Sequence, residues 1–442
     1  MNRLNPRFPF DPGKWPFYYG YFVVFCSTLG FMMSVPGQTI GVSVFTDFLI
    51  SHLGIGRLGI STAYMVGTVG SAFLLRRAGR FLDRAGARRV AFYAAIGLGA
   101  VLAAMSQVDR IADRAGIWMS GHRSEIVSFM IVAAGFLMLR FLGQGVMALV
   151  SRTLLMRWFV NRRGRMNSIM GVAVSLTFSG SPLFLDMLIR RFDWRGAWQF
   201  MAGIVGLGFA LFALVFYRDR PEDCGLIPDG LRPNSDSSGE AVREKSWRLP
   251  DVIRTRTFWI FNLGLSMYAL VLTAFTFHVV SIFETAGFSR RSAISIFLPA
   301  SVISVSVNLV SGWLSDTKRF RNRLHVFLFF NLAGLLILGA GMLCLPAGFG
   351  RWLVIAGDGL ASGLFGLLAA VVWARYFGPE HLGEITGYNM SFLVLFSALG
   401  PILFGLAFKM SGQYHMAVWI CMAASAALLG LSGKAVRPAG PP

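Results

Sequence analysis

Three ionisable residues lie inside long apolar stretches of this sequence: Arg140, His278 and Asp358. A charge in such a stretch costs at least about 2.5 to 3.5 kcal/mol in a bilayer, so it is normally paired or faces water. An arginine there can bind an anion, a carboxyl group can take up and release a proton, and a histidine can do either near neutral pH. These residues are therefore the first candidates for a functional site.

Two further candidates follow a helix breaker near the start of the chain. Gln38 and Thr39 come directly after Pro36 and Gly37 in an otherwise apolar stretch. Broken helices that expose backbone at mid-membrane build many small-molecule sites, which makes the two side chains candidate contacts. A simple bend of the helix explains the Pro-Gly pair equally well.

The elements that carry these residues are predicted to be membrane-spanning helices. The chain has 442 residues, 55% hydrophobic and 14% charged, with a mean hydropathy of +0.61, whereas a soluble domain carries about 25% charged residues. A span needs about 20 apolar residues. Twelve such runs occur, six on each side of a hydrophilic linker, at about 17–45, 57–76, 88–106, 126–150, 166–188, 196–217, 257–283, 292–314, 324–345, 349–374, 385–408 and 414–432.

This pattern predicts an all-α polytopic membrane protein with twelve transmembrane helices in two six-helix bundles. The expected organisation is a cytoplasmic N-terminus (1–16), a first bundle (17–217), a cytoplasmic linker (218–256), a second bundle (257–433) and a cytoplasmic tail (434–442).

The net charge of +20 is explained by the placement of the basic residues. With both termini inside, 29 of the 41 lysines and arginines fall in cytoplasmic segments, 11 fall outside and one, Arg140, falls within a span. This is the bias that orients membrane helices, so a nucleic-acid partner is not expected. The outer segment from Gln107 to Glu125 is predicted as a solvated loop, with a short surface-lying helix as the alternative.

No set of residues with catalytic or metal-ligand spacing is visible. None of the four cysteines has the spacing of metal ligands, and neither a phosphate-binding loop nor a His/Asp or Cys/His set suited to catalysis appears. An enzyme, a metal and a cofactor are therefore not expected.

The two halves of the chain repeat each other in three short segments. Val42–Phe45 matches Val280–Phe283, Gly79–Arg84 matches Gly312–Thr317, and Arg157-Trp-Phe matches Arg375-Tyr-Phe, all in chain order. A duplicated six-helix unit with a pseudo-two-fold axis along the membrane normal is the simplest account.

The loop after the second span carries the most specific motif, Gly79-Arg-Phe-Leu-Asp83-Arg84-Ala-Gly86-Ala-Arg88-Arg89. It resembles the signature loop of the major facilitator superfamily, with departures at Leu82 and Ala87. The resemblance implies two lobes that alternate access and a conformational gate, in which Asp83 meets the start of the eleventh span near Ile385 to Gly387. The expected gate residues are Gly79, Asp83, Arg84, Gly86 and Arg88, with Gly312 and Asp316 from the weaker second copy. The alternative is that this loop is only a positively charged anchor.

The resemblance also implies that the first, fourth, seventh and tenth spans line a central cavity. With the offset of the third repeat, Arg140 aligns with Asp358, Gln144 with Ser362 and Met147 with Phe365. We hypothesise that Arg140 and Asp358 pair in the empty protein, and that an anionic substrate competes for Arg140 and frees Asp358 to take a proton. The alternative is that Arg140 is structural and Asp358 is shallow. The expected substrate contacts are Arg140, Gln38, Thr39, Gln144, His278, Ser362 and Phe365, and the expected proton carriers are Asp358 and His278, although a packing role for His278 stays open.

Two further segments, Arg220–Gly230 and Arg375–Gly387, resemble the oxalate/formate-antiporter and monocarboxylate-porter branch of the superfamily. That resemblance implies a monomeric, proton-coupled carrier of small organic anions in the inner (cytoplasmic) membrane. Basic residues that such carriers place in the eighth and eleventh spans are missing, so a monocarboxylate-like anion is predicted in preference to a dicarboxylate. The alternatives are a polyspecific exporter of drugs or metabolites, and a transporter-like membrane sensor that signals through the linker.

Overall fold

The structure is a computed structural model that describes residues 5–120, 124–230 and 246–440. Within these ranges nearly every residue of a regular element is helical and no β-strand occurs. Eleven described helical runs are long and apolar enough to cross a membrane. One of them, Arg163–Phe216, has 54 residues, about 80 Å of helix, which is enough for two crossings. It is interrupted by Asp193, whose backbone is non-helical (φ 62°, ψ 177°), and the twelve-span prediction therefore holds.

The first compact unit comprises Met1–Phe159, Ala173–Ser238 and Thr386–Ser391. Two π-helical segments, Arg140–Met147 and Ile204–Phe209, connect α7 to α8 and α9 to α10. The helices are α1 (Tyr19–Met32), α2 (Thr39–Ser43), α3 (Thr46–Leu53), α4 (Arg57–Ala85), α5 (Ala87–Met105), α6 (Val108–Ser120), α7 (Glu125–Leu139), α8 (Ala148–Trp158), the larger part of α9 (Arg163–Gly203) and α10 (Ala210–Phe216).

The second compact unit comprises Val160–Val172, Gly239–Ile385 and Phe392–Pro442, and so contains the first turns of α9. Its other helices are α11 (Leu249–Val252), α12 (Arg256–Thr285), α13 (Arg290–Ser295), α14 (Phe297–Ser315), α15 (Leu324–Leu343), α16 (Gly350–Phe377), α17 (Leu382–Ser411) and α18 (His415–Ser432). The bundle, linker and terminal boundaries expected from the sequence stay a prediction. Residues 231–245 of the expected linker, 1–4 of the N-terminus and 441–442 of the tail lie outside the described residues.

The first span is broken at the Pro-Gly pair. A 3₁₀ turn at Val35–Gly37 follows α1, and Gln38 is extended (ψ 158°) before α2 begins. Pro36 causes the break because it lacks an N–H and cannot continue an α-helix. Gly37 faces Gly143 so closely that a Cβ on Gly37 would lie 2.7 Å from the Cα of Gly143. The backbone of the break is therefore in direct contact with the π-helical segment Arg140–Met147, which we call the π segment.

The segment after α5 differs from the expected loop, because α6 is a helix. Its buried side repeats every four residues: Val108, Ala112 and Gly116. Asp109 is ion-paired with Arg195, and the hydrogen bonds from that guanidinium hold the pKa of the Asp109 carboxyl below its ordinary value. The loop prediction was wrong because it weighed the polar composition of the segment and missed the spacing of its small residues. Residues 121–123 of the expected loop lie outside the described residues.

Candidate functional site

Arg140 begins the π segment and is 3% exposed. Its Nη1 donates to the carbonyl oxygen of Gly37 and to Oγ1 of Thr39, both at 3.3 Å. The guanidinium lies over the ring of Tyr64, 5.2 Å from the ring centroid, which is cation–π geometry. Among the described residues Nε has no hydrogen-bond partner, and no described carboxylate of the first unit pairs with this side chain. The positive charge of Arg140 therefore interacts with a carbonyl group, a hydroxyl group and the Tyr64 ring, and no carboxylate described in this unit neutralises it.

The other expected contacts of the first unit surround the same break. Thr39 Oγ1 also accepts a 2.8 Å hydrogen bond from the hydroxyl of Tyr64, so Thr39 joins Arg140 in one network. Gln38 turns back on its own segment, with Nε2 donating to Oγ of Ser34 at 3.1 Å. Gln144 is half-buried, and its backbone nitrogen lies beside Gly37. Tyr64 was not among the predicted residues, although a tyrosine in the apolar second span was a usable signal.

The structure adds a second arginine to this unit, Arg152. The helix that carries Arg140 continues through α8 to Trp158, eight residues past the predicted end of the fourth span. Arg152 is consequently helical and lies between Arg140 and the loop, whereas the predicted span ended at residue 150 and Arg152 was counted among the cytoplasmic residues. Its guanidinium lies over Phe31, 5.1 Å from the ring centroid. Arg152 was missed in the sequence because residues 151–153 are all polar, and the apolar run that defined the fourth span ends just before them.

Asp358 is the centre of the corresponding site in the second unit. It lies on α16, is 7% exposed, and its Oδ1 accepts a 2.9 Å hydrogen bond from Oγ of Ser362. Ser362 Oγ accepts in turn from the hydroxyl of Tyr268 on α12 at 3.0 Å. The Tyr268 ring stacks on Phe365 with centroids 4.1 Å apart. Three predicted residues are thus brought together, and Tyr268, which the sequence did not single out, links them.

The Asp358 site contains a short chain of hydrogen-bonded groups. The two hydroxyl groups form a chain that ends on a buried carboxyl oxygen. Among the described residues of this unit no lysine or arginine pairs with Asp358. A buried carboxylate without a cation is costly in a membrane.

His278 lies near the end of α12, apart from the Asp358 chain. Its Nε2 is 3.0 Å from the carbonyl oxygen of Pro401, and its Nδ1 is 3.4 Å from the hydroxyl of Tyr414. Tyr414 also donates to Oγ of Ser281 at 2.8 Å. Both ring nitrogens of His278 therefore have partners within the unit, which is how a packing histidine is held.

In the first copy of the loop motif, Asp83 is paired with Arg157 of α8. The Nη2 of Arg157 donates to Oδ1 of Asp83 at 2.6 Å, and both side chains are less than a tenth exposed. Gly79 faces Gly387, where an added Cβ would lie 3.4 Å from the Cα of Gly79. The meeting of Asp83 with the start of the eleventh span stays a prediction. The pairing with Arg157 was missed.

In the second copy, Asp316 is bound by a helix start and an arginine together. Its carboxylate accepts from the backbone N–H groups of Gly164 and Arg165, both at 2.9 Å, in the first turn of α9. It also accepts from Nη2 of Arg375 at 2.6 Å. Gly312 lies one turn earlier, where an added Cβ would be 2.7 Å from the Gly164 carbonyl oxygen. A carboxylate at a helix N-terminus is electrostatically favourable, which is the chemistry expected of the motif.

The remaining motif residues face their own unit or solvent. Arg84 is exposed. Gly86 has φ +87°, and an added Cβ would lie 2.0 Å from a carboxylate oxygen of Asp219, so only glycine fits. Arg88 is 5% exposed. It donates to three backbone carbonyl oxygens, those of Asn5, Phe8 and Leu214. Arg88 thus fastens the N-terminal segment to this unit.

The chain belongs to the Major Facilitator Superfamily, whose family model matches residues 20–357. Its fold is the all-α, multi-pass membrane fold of two six-helix bundles, and the family is one of membrane transport proteins rather than enzymes. It is structurally similar to the proton:xylose symporter XylE bound to 6-bromo-6-deoxy-D-glucose, with a TM-score of 0.68, 14% identity, and coverage of 94% of this chain and 95% of that one.

Two more solved structures and one sequence relative complete the comparison. The fucose:proton symporter FucP of E. coli gives a TM-score of 0.65 at 11% identity over 94% of this chain and 99% of that one. The human organic anion transporter MFSD10 gives 0.61 at 13% over 93% and 99%. The membrane sensor protein UhpC of Salmonella typhimurium is 25% identical over 277 residues, 59% of this chain and 60% of its own length. At sequence identities of 11% to 14%, the similarity to these three solved structures establishes the fold and not the substrate.

Proposed function

We propose that this protein is a secondary active transporter that moves a small organic anion across the cytoplasmic membrane by alternating access, coupled to protons. The distribution of basic residues supports a placement of both termini on the cytoplasmic side. In this proposal the protein acts as a monomer. The unit with Arg140 binds the anion, and the unit with Asp358 carries the proton.

The observation that carries the proposal is the unneutralised charge of Arg140. An arginine cannot lose its proton under ordinary conditions, so burial does not remove its charge. Its neighbours Gly37, Thr39 and Tyr64 supply a carbonyl oxygen, a hydroxyl group and a ring, which orient the guanidinium without cancelling the charge. An anionic substrate group that binds to the free Nε edge would cancel it.

A monocarboxylate is the simplest substrate for this site. One carboxylate satisfies one guanidinium, and Thr39, Gln38 and Gln144 provide polar groups around the same break. His278, held between Pro401 and Tyr414, is an additional anion or proton contact in this proposal.

The coupling step follows from the chemistry of Asp358. Its carboxyl group can exchange a proton, and the hydroxyls of Ser362 and Tyr268 give the proton a path. We retain the hypothesis that Arg140 and Asp358, at repeat-equivalent positions, pair in the empty transporter. Substrate binding to Arg140 would then release Asp358 for protonation.

The gate is the third part of the proposal. The contact of Asp316 with the first turn of α9 joins segments that come from different halves of the sequence. Making and breaking this contact, and the corresponding one at Asp83, would bias the protein between its two access states.

The test is uptake of radiolabelled lactate and acetate by the purified protein in proteoliposomes with an imposed pH gradient. The expected result is accumulation driven by the gradient, which Arg140→Gln abolishes. Arg190→Gln is the matched control, because it removes an exposed arginine whose one salt bridge with a described residue is to Asp186 on the surface. Uptake that Arg140→Gln leaves intact overturns the role of Arg140. Efflux of hydrophobic dyes without anion uptake favours an exporter.

A sensor is the second candidate, because the relative from Salmonella typhimurium is named a membrane sensor. In that case the substrate would bind at Arg140, and the linker between residues 218 and 256 would contact a signalling partner. Purified protein that binds the anion but shows no net flux in proteoliposomes would support the sensor and reject the transporter.

A further inference from the structure

The helix that carries Arg140 contains a further arginine, Arg152, that the transport site described above does not use. Arg152 is half-buried on α8 and stacks over Phe31. It makes no hydrogen bond or ion pair with a described residue, and no carboxylate influences it electrostatically. It lies five residues before Arg157, about 8 Å along the helix from the pair with Asp83. Arg140 and Arg152 are thus two arginines of one membrane-spanning helix, and no described carboxylate pairs with either.

The π segment brings these two arginines to one face of the helix. Twelve residues separate Arg140 from Arg152, which in a regular α-helix is about 3.3 turns and would turn Arg152 about 120° away. A π-turn takes up one more residue than an α-turn. The twelve residues therefore rotate the helix only as far as eleven residues of a regular α-helix, which we call eleven effective positions. Eleven positions are about three full turns, so both side chains point the same way. The contacts agree, because Arg140 reaches Gly37 and Arg152 reaches Phe31, both on the first span.

The spacing of these contacts sets the size of the ligand. Phe31 and Gly37 are six residues apart along a helical segment, which corresponds to about 10 Å. Between these two contacts the first span presents Ser34, whose hydroxyl is hydrogen-bonded to Gln38. The α-carbons of Arg140 and Arg152 are eleven effective positions apart on their own helix, which is about 16 Å, so the two charges lie about 10 to 16 Å apart. This spacing fits one elongated molecule with an anionic group at each end.

We propose that Arg152 is a second anion-binding residue, and that the substrate is an elongated dianion with one negatively charged end on Arg140 and the other on Arg152. This inference rests on the proposed function and changes its substrate class from a monocarboxylate to a dianion. The preference for a monocarboxylate depended on a single intramembrane cation, and α8 supplies another. The Arg152 guanidinium lies over the ring of Phe31, which gives the methylene chain of such a ligand an apolar neighbour.

The experiment measures thermal stabilisation of the purified full-length protein by succinate, adipate and suberate, each beside its monomethyl ester. The ester keeps the length and removes one charge. In the wild type we expect the best dianion to bind about 10- to 100-fold more tightly than its ester. Arg152→Gln should remove this preference while ester binding persists, Arg152→Lys should restore part of it, and Arg140→Gln should abolish binding of both.

The outcomes distinguish failure of the second site from failure of the proposed function. Equal affinity for dianions and esters in the wild type, or a preference that survives Arg152→Gln, overturns the second site and leaves the anion transporter standing. If none of these anions stabilises the wild type while lactate or acetate does, the second site is overturned and the proposed function stands. If lactate and acetate also give no stabilisation in the same assay, both are overturned. The comparison within the wild type does not depend on a variant that folds, and Arg190→Gln controls for the loss of a basic residue.

Discussion

Two kinds of feature occur once in each half of this protein: an ion pair beside the loop motif, which we call a loop pair, and a charged residue within a span, which we call a span site. The loop pairs are alike in the two halves, and the span sites differ. Asp83 with Arg157 and Asp316 with Arg375 are the same ion pair in both halves, each 2.6 Å long. At the span positions the halves differ, because Arg140 in one corresponds to Asp358 in the other. We infer that the gate uses the same ion pair in both halves, whereas binding an anion and carrying a proton need residues of opposite charge. A carboxyl group such as that of Asp358 can exchange a proton, whereas the guanidinium of Arg140 keeps its charge.

The largest effect is expected from breaking the loop pairs. Asp83→Asn and Asp316→Asn each remove the carboxylate charge from a buried ion pair, so each should lower the free energy of unfolding by about 3 to 5 kcal/mol. Arg190→Gln, which breaks an exposed pair, should cost less than about 1 kcal/mol. Denaturant titrations of the purified variants measure this. A large loss at only one of the two aspartates would show that the loop pairs are not equivalent.

The second largest effect concerns the anion side of the span sites. Arg140→Gln should reduce anion uptake about 100-fold, since a charged hydrogen bond contributes roughly 1.5 to 3 kcal/mol. Arg140→Lys should recover part of it, because a lysine keeps the charge but loses the planar fork. Initial rates in proteoliposomes are the measurement, and a lysine variant as inactive as the glutamine variant would mean that geometry outweighs charge.

The third prediction isolates the proton side. Asp358→Asn keeps the shape and the hydrogen bond from Ser362 but cannot exchange a proton. Accumulation driven by a pH gradient should fall at least about 10-fold, while exchange of labelled for unlabelled anion at equal pH changes by less than about threefold. If exchange and accumulation fall together, Asp358 serves binding and not coupling.

The fourth prediction tests the pairing of the two span sites. Arg140→Asp and Asp358→Arg should each inactivate the transporter. If the side chains pair in the empty state, the double variant should be more stable than either single variant by about 1 to 3 kcal/mol. Additive losses of stability would exclude the pair.

The smallest effect is expected from the hydroxyl chain. Tyr268→Phe preserves the stacking with Phe365 and removes only the hydrogen bond to Ser362, so proton-driven uptake should slow about threefold to tenfold. A solvent-deuterium effect on uptake that disappears in this variant would assign the slow step to the chain. Unchanged rates would show that protons reach Asp358 by another path.

The sequence predicted the fold and a part of the site. Apolar runs of spanning length, the repeated segments and the loop motif were sufficient for the twelve helices and the family. Arg140 and Asp358 stood out because charges are rare in such runs. Arg152 escaped because it sits among polar neighbours near a helix end, and α6 escaped because its composition is that of a loop.

Hydropathy and charge are local properties, so the sequence by itself determined the number of spans, the duplication and the rarity of charges within the membrane helices. The tertiary structure decided which side chains meet. The phase of the π segment sets the common face of Arg140 and Arg152, and the packing of α12 against α16 places Tyr268 on Ser362. The rotation of a helix about its axis and the angle at which two helices cross depend on contacts between residues far apart in the chain. A short stretch of sequence does not contain both partners of such a contact.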